Sequence, residues 1–155
     1  MKSIKFIVSV LICQSAGIIG SLFTTPAISA WYVYLEKPNF SPPSWLFGPV
    51  WITLYTMMGI SLYLIWQKKE DVKGAWSAII FFVVHLLINS LWSIVFFGQK
   101  SVGGALVVIV ILWLMIVTLI FVFYRINKIA GYLLAPYLLG VSFAAVLNYS
   151  IWRLN

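Results

Sequence analysis

The chain has 155 residues, of which 63% are hydrophobic and 8% are charged. A water-soluble domain carries roughly a quarter of its residues as charges, so a soluble fold is excluded and one membrane-embedded domain, residues 1–155, is expected. The net charge of +7 is scattered singly or in small groups between long uncharged stretches, which excludes a nucleic-acid surface, and one cysteine, Cys13, excludes an intrachain disulfide.

The uncharged windows run Phe6–Leu35, Pro38–Gln67, Gly74–Gln99, Ser101–Tyr124 and Ile129–Trp152. A spanning helix takes about 20 apolar residues, so each window holds one span. Helices follow because the backbone must satisfy its own hydrogen bonds in lipid and no strand alternation is present. The expected fold is an all-α bundle of five transmembrane helices, at about 5–24, 45–67, 75–97, 102–124 and 129–152.

The first span begins after Lys2 and Lys5 and resembles a signal peptide, with Ala27-Ile28-Ser29 as a small-residue cleavage site. Its apolar run exceeds the roughly 7–15 residues of a signal core, so retention as a helix is expected. Ala16 with Gly20 and Gly17 with Ser21, each four apart, offer a close-packing face for the monomer or for a dimer seam. The segment Thr24–Ser44 contains Pro26, Pro38, Pro42 and Pro43, and prolines at this density are expected to stop the helix.

From Trp31 to Trp51 the sequence reads WYVYLEKPNFSPPSWLFGPVW. An aromatic belt at the headgroups explains part of this composition, and also Trp66, Trp76 and Trp152 near span ends. A proline-stiffened loop with so many rings points further, to a lid folded on something apolar. On the third span His85, Asn89 and Ser93 recur at i, i+4 and i+8 and share one face, drifting about 40° per step, with Trp92 and Phe96 beside them. Asn89 and Ser93 serve either as glue between helices or as the few polar contacts of a ligand pocket. His85 has no second metal-ligating residue near it and is read as a helix-bonded histidine, so no metal site is expected. On the fifth span Tyr137, Gly140, Ala144 and Leu147 fall along one face, where Gly140 and Ala144 permit close approach of a helix or a flat ligand. Val146, Tyr149 and Arg153 match a loose sterol-contact pattern, but interface anchoring accounts for them.

All three acids, Glu36, Glu70 and Asp71, lie between spans. An intramembrane acidic relay is therefore missing, as are a carboxylate pair and a nucleophile with its base, which leaves conventional enzyme chemistry without its groups. Lys2, Lys5, Lys68, Lys69, Lys73, Arg125 and Lys128 fall on one side, against Lys37, Lys100 and Arg153 on the other. The positive-inside rule then places the N-terminus in the cytoplasm and the C-terminus and first loop outside.

One set of residues is specific in its arrangement. Trp31-Tyr32, Leu35, Lys37-Pro38, Pro42-Pro43, Trp45, Phe47, Trp51 and Leu54-Tyr55 resemble the signature of the TspO/MBR family of tryptophan-rich sensory and translocator proteins. Asn89-Ser90-Leu91-Trp92-Ser93 with Phe96-Phe97-Gly98 resembles that family's third helix, and Ala135-Pro136-Tyr137-Leu138-Leu139 through Leu154-Asn155 its fifth. The resemblance implies a five-helix, commonly dimeric, bacterial-type membrane protein that binds porphyrins without a required cofactor, linked to tetrapyrrole and stress responses. It nominates Trp31, Tyr32, Pro42 and Trp51 in the lid, Asn89, Trp92 and Ser93 below it, and Tyr137, Phe143 and Ala144 on the fifth helix as ligand-binding. Some members degrade protoporphyrin in light through pocket tryptophans. Here Gly140 stands where relatives often carry tryptophan, which leaves Trp51 as the candidate for such chemistry and favours binding. Three functions are carried forward: a binding protein or sensor for a flat hydrophobic ligand, a light-dependent porphyrin-degrading enzyme, and a transporter of small apolar compounds.

Overall fold

The computed structural model describes all residues, Met1 to Asn155. Helix α1 spans Lys2–Ala30, α2 Phe47–Trp66, α3 Ala75–Ser93, α4 Val102–Ile126, α5 Lys128–Leu133 and α6 Ala135–Leu154. A π-helical turn at Ile94–Gly98 extends α3, and 3-10 turns at Tyr32–Tyr34 and Ser44–Leu46 bracket the first loop. With α5 and α6 as one interrupted rod, five segments are long and apolar enough to cross a membrane. The all-α, five-span architecture is as expected.

Two boundaries differ from the sequence reading. The first helix runs through Pro26 to Ala30, not to residue 24. Proline removes one amide donor, yet Trp31 N–H still reaches the Ala27 carbonyl at 2.9 Å and Ala27 is buried, so packing carries the helix past the lost bond. At 29 residues the helix is about 43 Å long, longer than a hydrocarbon core, and it reaches the lid. The fifth span breaks at Leu134 because Pro136 has no amide to give the Tyr132 carbonyl. At the α2–α3 turn, Gly74 takes φ +92°, a left-handed conformation that a side chain would oppose.

Ala16, Gly17 and Gly20 of α1 make close contacts within the monomer, while Ser21 is exposed. The Ala16 carbonyl accepts from the Ser90 hydroxyl at 3.2 Å. A Cβ on Gly17 would come within 2.6 Å of the Tyr55 ring, and one on Gly20 within 2.9 Å of Ser93 Oγ. The main core gathers Cys13, Met58, Phe82, Ile116, Phe123 and Tyr137 at the centre of the bundle. A second cluster of Tyr32, Phe96, Ala105, Leu147 and Ile151 lies beneath the loop.

That second cluster is the apolar seat of the lid. Tyr32 is buried, with its ring 6.2 Å from Phe96 and 5.7 Å from Phe97, and Trp31 meets Phe96 edge-on at 5.8 Å. Tyr34, Phe40 and Trp45 point outward and form the headgroup-level part of the same segment. Two polar devices fix the lid. Lys37 Nζ donates to the carbonyls of Leu35 (2.9 Å), Tyr32 (3.0 Å) and Val33 (3.4 Å) and sits 4.9 Å from the Tyr32 ring centroid. Asn155 accepts from the Glu36 amide at 3.1 Å and donates to the Glu36 carbonyl at 2.9 Å, tying the lid to the end of α6. Asn155→Ala removes both of these bonds. Hydrogen exchange across the lid should quicken by about tenfold while the core of α3 is unchanged, and equal lid exchange in the two proteins would refute the tie.

Candidate functional site

A cavity of about 470 Å³ lies beneath the lid, bounded by α1, α2, α3 and α6, with Ile109 and Leu112 of α4 at its base. That volume falls in the range of pockets for drug-sized ligands. Helix α1 contributes Gln14, Gly17, Gly20 and Thr24, α2 contributes Trp51 and Tyr55, and the π turn contributes Phe96 and Phe97. Ile18, Thr25 and Ile52 also line it while exposed on the outer surface, so the wall between α1 and α2 continues to the lipid-facing side.

Of the ten residues nominated from sequence, Tyr32, Trp51, Asn89, Trp92, Ser93 and Ala144 line this cavity. The structure places the other four elsewhere. Trp31 packs against Phe96 in the seat of the lid. Pro42 is half-buried in the irregular lid segment before Ser44, outside the cavity lining. Tyr137 is fully buried behind the wall, and Phe143 is exposed on the outer face of α6, edge-on to Phe40 at 6.2 Å. Gly140 also lies off the cavity, with Leu54 Cδ1 the one group near its open side.

The polar groups of the wall divide into those already bonded and those still free. Gln14 Nε2 donates to the Ile52 carbonyl at 3.1 Å and to Thr56 Oγ1 at 2.9 Å, clamping α1 to α2. Trp92 Nε1 donates to Asn148 Oδ1 at 3.0 Å, and Asn148 Nδ2 passes on to the Val102 carbonyl at 2.9 Å. Gln14 and Asn148 were not nominated from sequence. The readable signal was an amide inside an apolar span, where an unpaired polar group is costly. The indole N–H of Trp51 and the hydroxyl of Ser93, on residues that line the cavity, take part in no side-chain hydrogen bond within the protein, and Ser93 Oγ lies close against Gly20.

Below Trp51 a directed hydrogen-bond chain runs into the core. The Tyr55 hydroxyl donates to Asn89 Oδ1 at 2.6 Å, and Asn89 Nδ2 donates to the Tyr137 oxygen at 2.8 Å. Tyr137 and His85 Nε2 are 2.8 Å apart, and His85 Nδ1 is 3.0 Å from the Phe82 carbonyl. A carbonyl only accepts, so Nδ1 carries a proton, and in the neutral ring Nε2 accepts from the Tyr137 hydroxyl. His85 is thus a hydrogen-bonded core histidine. No group of three His, Cys, Asp or Glu side chains converges anywhere in the fold to hold a metal. Trp51 lies over the head of this chain, 6.0 Å from the Tyr55 ring and 6.4 Å, edge-on, from Tyr137.

A lidded, aromatic-rimmed cavity in a five-span bundle is the arrangement that the resemblance implied, and the match is nearly full-length: the profile of the TspO/MBR family covers residues 9–153. The chain belongs to the TspO/MBR family. It is 43% identical to the tryptophan-rich protein TspO of Chlorobaculum tepidum over 148 residues, covering 93% of this chain and 91% of that protein. It is 39% identical to the tryptophan-rich protein TspO of Archaeoglobus fulgidus over 159 residues, covering 100% and 99%. The human translocator protein is 35% identical over 138 residues, covering 88% of this chain and 82% of its own. Membership in the TspO/MBR family and five apolar helices make this an integral membrane sensor or binding protein.

Proposed function

We propose that the protein binds porphyrins or similar flat hydrophobic ligands in the cavity beneath the lid and acts as a sensor linked to tetrapyrrole and stress regulation. The observation that carries this reading is the wall itself: an apolar space faced by Trp51, Trp92, Phe96 and Phe97, with few free polar atoms. Flat rings stack on such faces, and sparse polar groups set their orientation. Pairing of two copies and a cytoplasmic N-terminus belong to the same reading. The first rests on the family resemblance and the second on the Lys and Arg distribution.

Titration of the purified protein with protoporphyrin in the dark tests it. Saturable quenching of tryptophan emission and a shifted porphyrin absorption band are expected, with Trp51→Phe weakening binding about five- to tenfold by loss of indole contact and its N–H. Absence of saturable binding by both protoporphyrin and its neutral ester would refute the proposal. Illumination of the same complex in oxygen is expected to leave the absorption spectrum as it was, and steady bleaching that depends on Trp51 would restore the degrading reading.

A further inference from the structure

Two tyrosine rings lie against Trp51, and their hydroxyls meet different acceptors. The Tyr55 hydroxyl donates to an amide oxygen, Asn89 Oδ1, at 2.6 Å, whereas the Tyr137 hydroxyl donates to an imidazole nitrogen, His85 Nε2, at 2.8 Å. An amide oxygen accepts a hydrogen bond but is too weak a base to take the proton, and a neutral imidazole takes one readily. The difference matters for one-electron chemistry, because a phenol loses an electron far more easily when its proton can leave in the same step. Tyr137 and His85 are fully buried and Tyr137 lies off the cavity lining, so the phenolic oxygen is shielded from water and from the cavity. A proton on Nε2 would leave Nδ1–H on the Phe82 carbonyl at 3.0 Å, with the Phe82 ring 5.1 Å away to face the cation. Asn89 Nδ2, 2.8 Å from the Tyr137 oxygen, would go on donating to it.

Trp51 is the matching point of entry. It lines the cavity, its indole N–H takes part in no side-chain hydrogen bond, and its ring stands edge-on to Tyr137 with centroids 6.4 Å apart. An oxidised Trp51 therefore has no side-chain base of its own and stays a strong oxidant in contact with Tyr137. We propose that Tyr137 and His85 form a redox pair that reversibly stores an oxidising equivalent arriving at Trp51. A one-electron oxidant in the cavity takes an electron from the indole. Tyr137 returns that electron to the indole radical cation while its proton crosses to His85 Nε2, leaving a neutral tyrosyl radical beside an imidazolium. One positive charge moves from indole to imidazole, so no second charge is created in the apolar core. Recovery runs in reverse: a one-electron reductant, either the reduced oxidant or a thiolate, restores the electron to Tyr137, and His85 gives back the proton. This activity goes beyond the binding reading and does not rest on it.

Pulse radiolysis of the ligand-free protein in phosphatidylcholine nanodiscs, with the azide radical as oxidant of indoles, tests the pair. Part of the indolyl absorption is expected to convert to tyrosyl absorption at a rate independent of protein concentration. Freeze-quenched samples should show a hydrogen-bonded tyrosyl radical by high-field electron paramagnetic resonance. The component abolished by Trp51→Phe should also be abolished by Tyr137→Phe and retained in Tyr55→Phe. His85→Gln keeps an acceptor for the phenol without the basicity, and should slow the conversion at least about a hundredfold. A wild-type protein with no Trp51-dependent conversion overturns the inference, as does a Trp51-dependent radical that survives Tyr137→Phe or is lost in Tyr55→Phe. Conversion at the wild-type rate in folded His85→Gln protein overturns the role of the imidazole. No porphyrin is present, so each of these results leaves the binding reading where it stands.

Discussion

Gly59→Leu should prevent accumulation of folded protein. Gly59 is buried on α2 where that helix meets α1, and a Cβ there would lie 2.6 Å from the Val10 Cα and 3.1 Å from its backbone nitrogen. Backbone atoms cannot rotate aside, so both helices must part. Overpacking of a fitted core costs about 1–3 kcal/mol, and a leucine at a backbone-to-backbone crossing belongs at or beyond the upper end. The damage extends to the cavity, because the Gln14 clamp to Ile52 and Thr56 closes the α1–α2 seam about a turn away. Small residues at helix crossings in lipid exist to allow this approach. Gly140→Ala is the contrasting case: its added Cβ meets only Leu54 Cδ1, the end of a flexible side chain, and a change under about 1 kcal/mol is expected. Thermal unfolding in detergent, followed by circular dichroism, compares the three proteins. A Gly59→Leu protein that melts with the wild type would disprove the account.

The membrane architecture was readable because lipid imposes one rule on every span. Charges are confined to the connections, so the uncharged windows delimit the helices with little help from propensity. Boundaries were harder. Pro26 reads as a stop by its chemistry, but the helix passes it with the Trp31 amide bonded to the Ala27 carbonyl and Ala27 buried, a tertiary contact that no local pattern reveals. Pro136 has the same chemistry and does interrupt the rod, at Leu134. Identity alone does not distinguish the two; tertiary contact does.

Site residues were legible where helical periodicity places them. Asn89 and Ser93, four apart on α3, both line the cavity. Position on a face did not reveal depth, however. Tyr137 and Ala144 were read as one face of the fifth span, yet Ala144 lines the cavity and Tyr137 stands behind it. Likewise the lid's tryptophans looked equivalent in sequence, whereas Trp31 packs in the lid's seat, Trp45 faces outward and Trp51 faces the cavity. Spacing on α1 did not say which neighbours the small residues meet; Ser90, Ser93 and Tyr55 pack against Ala16, Gly20 and Gly17.

The choice between structural glue and ligand contact at Asn89 is settled by a pair of variants. Asn89→Leu deletes an acceptor and a donor together, leaving the Tyr55 hydroxyl without its acceptor and the Tyr137 oxygen without its donor. Each orphaned buried group costs about 1–3 kcal/mol, and the lower half applies in a bundle where alternative partners exist, so a total loss of about 2 kcal/mol is expected. Asn89 also faces the cavity, so the same variant should weaken porphyrin binding. Tyr137→Phe breaks the chain one link deeper: it removes the donor to His85 Nε2 and the acceptor for Asn89 Nδ2 but alters no cavity-lining atom. It should cost comparable stability while changing ligand affinity by less than about threefold, because Asn89 keeps its bond from Tyr55. Denaturant titration in mixed micelles gives the stabilities, and the porphyrin titration gives the affinities. If Tyr137→Phe loses binding as severely as Asn89→Leu, the affinity resides in the rigidity of the chain, and the contact role of Asn89 is withdrawn. If Asn89→Leu keeps full affinity at reduced stability, its amide is glue alone.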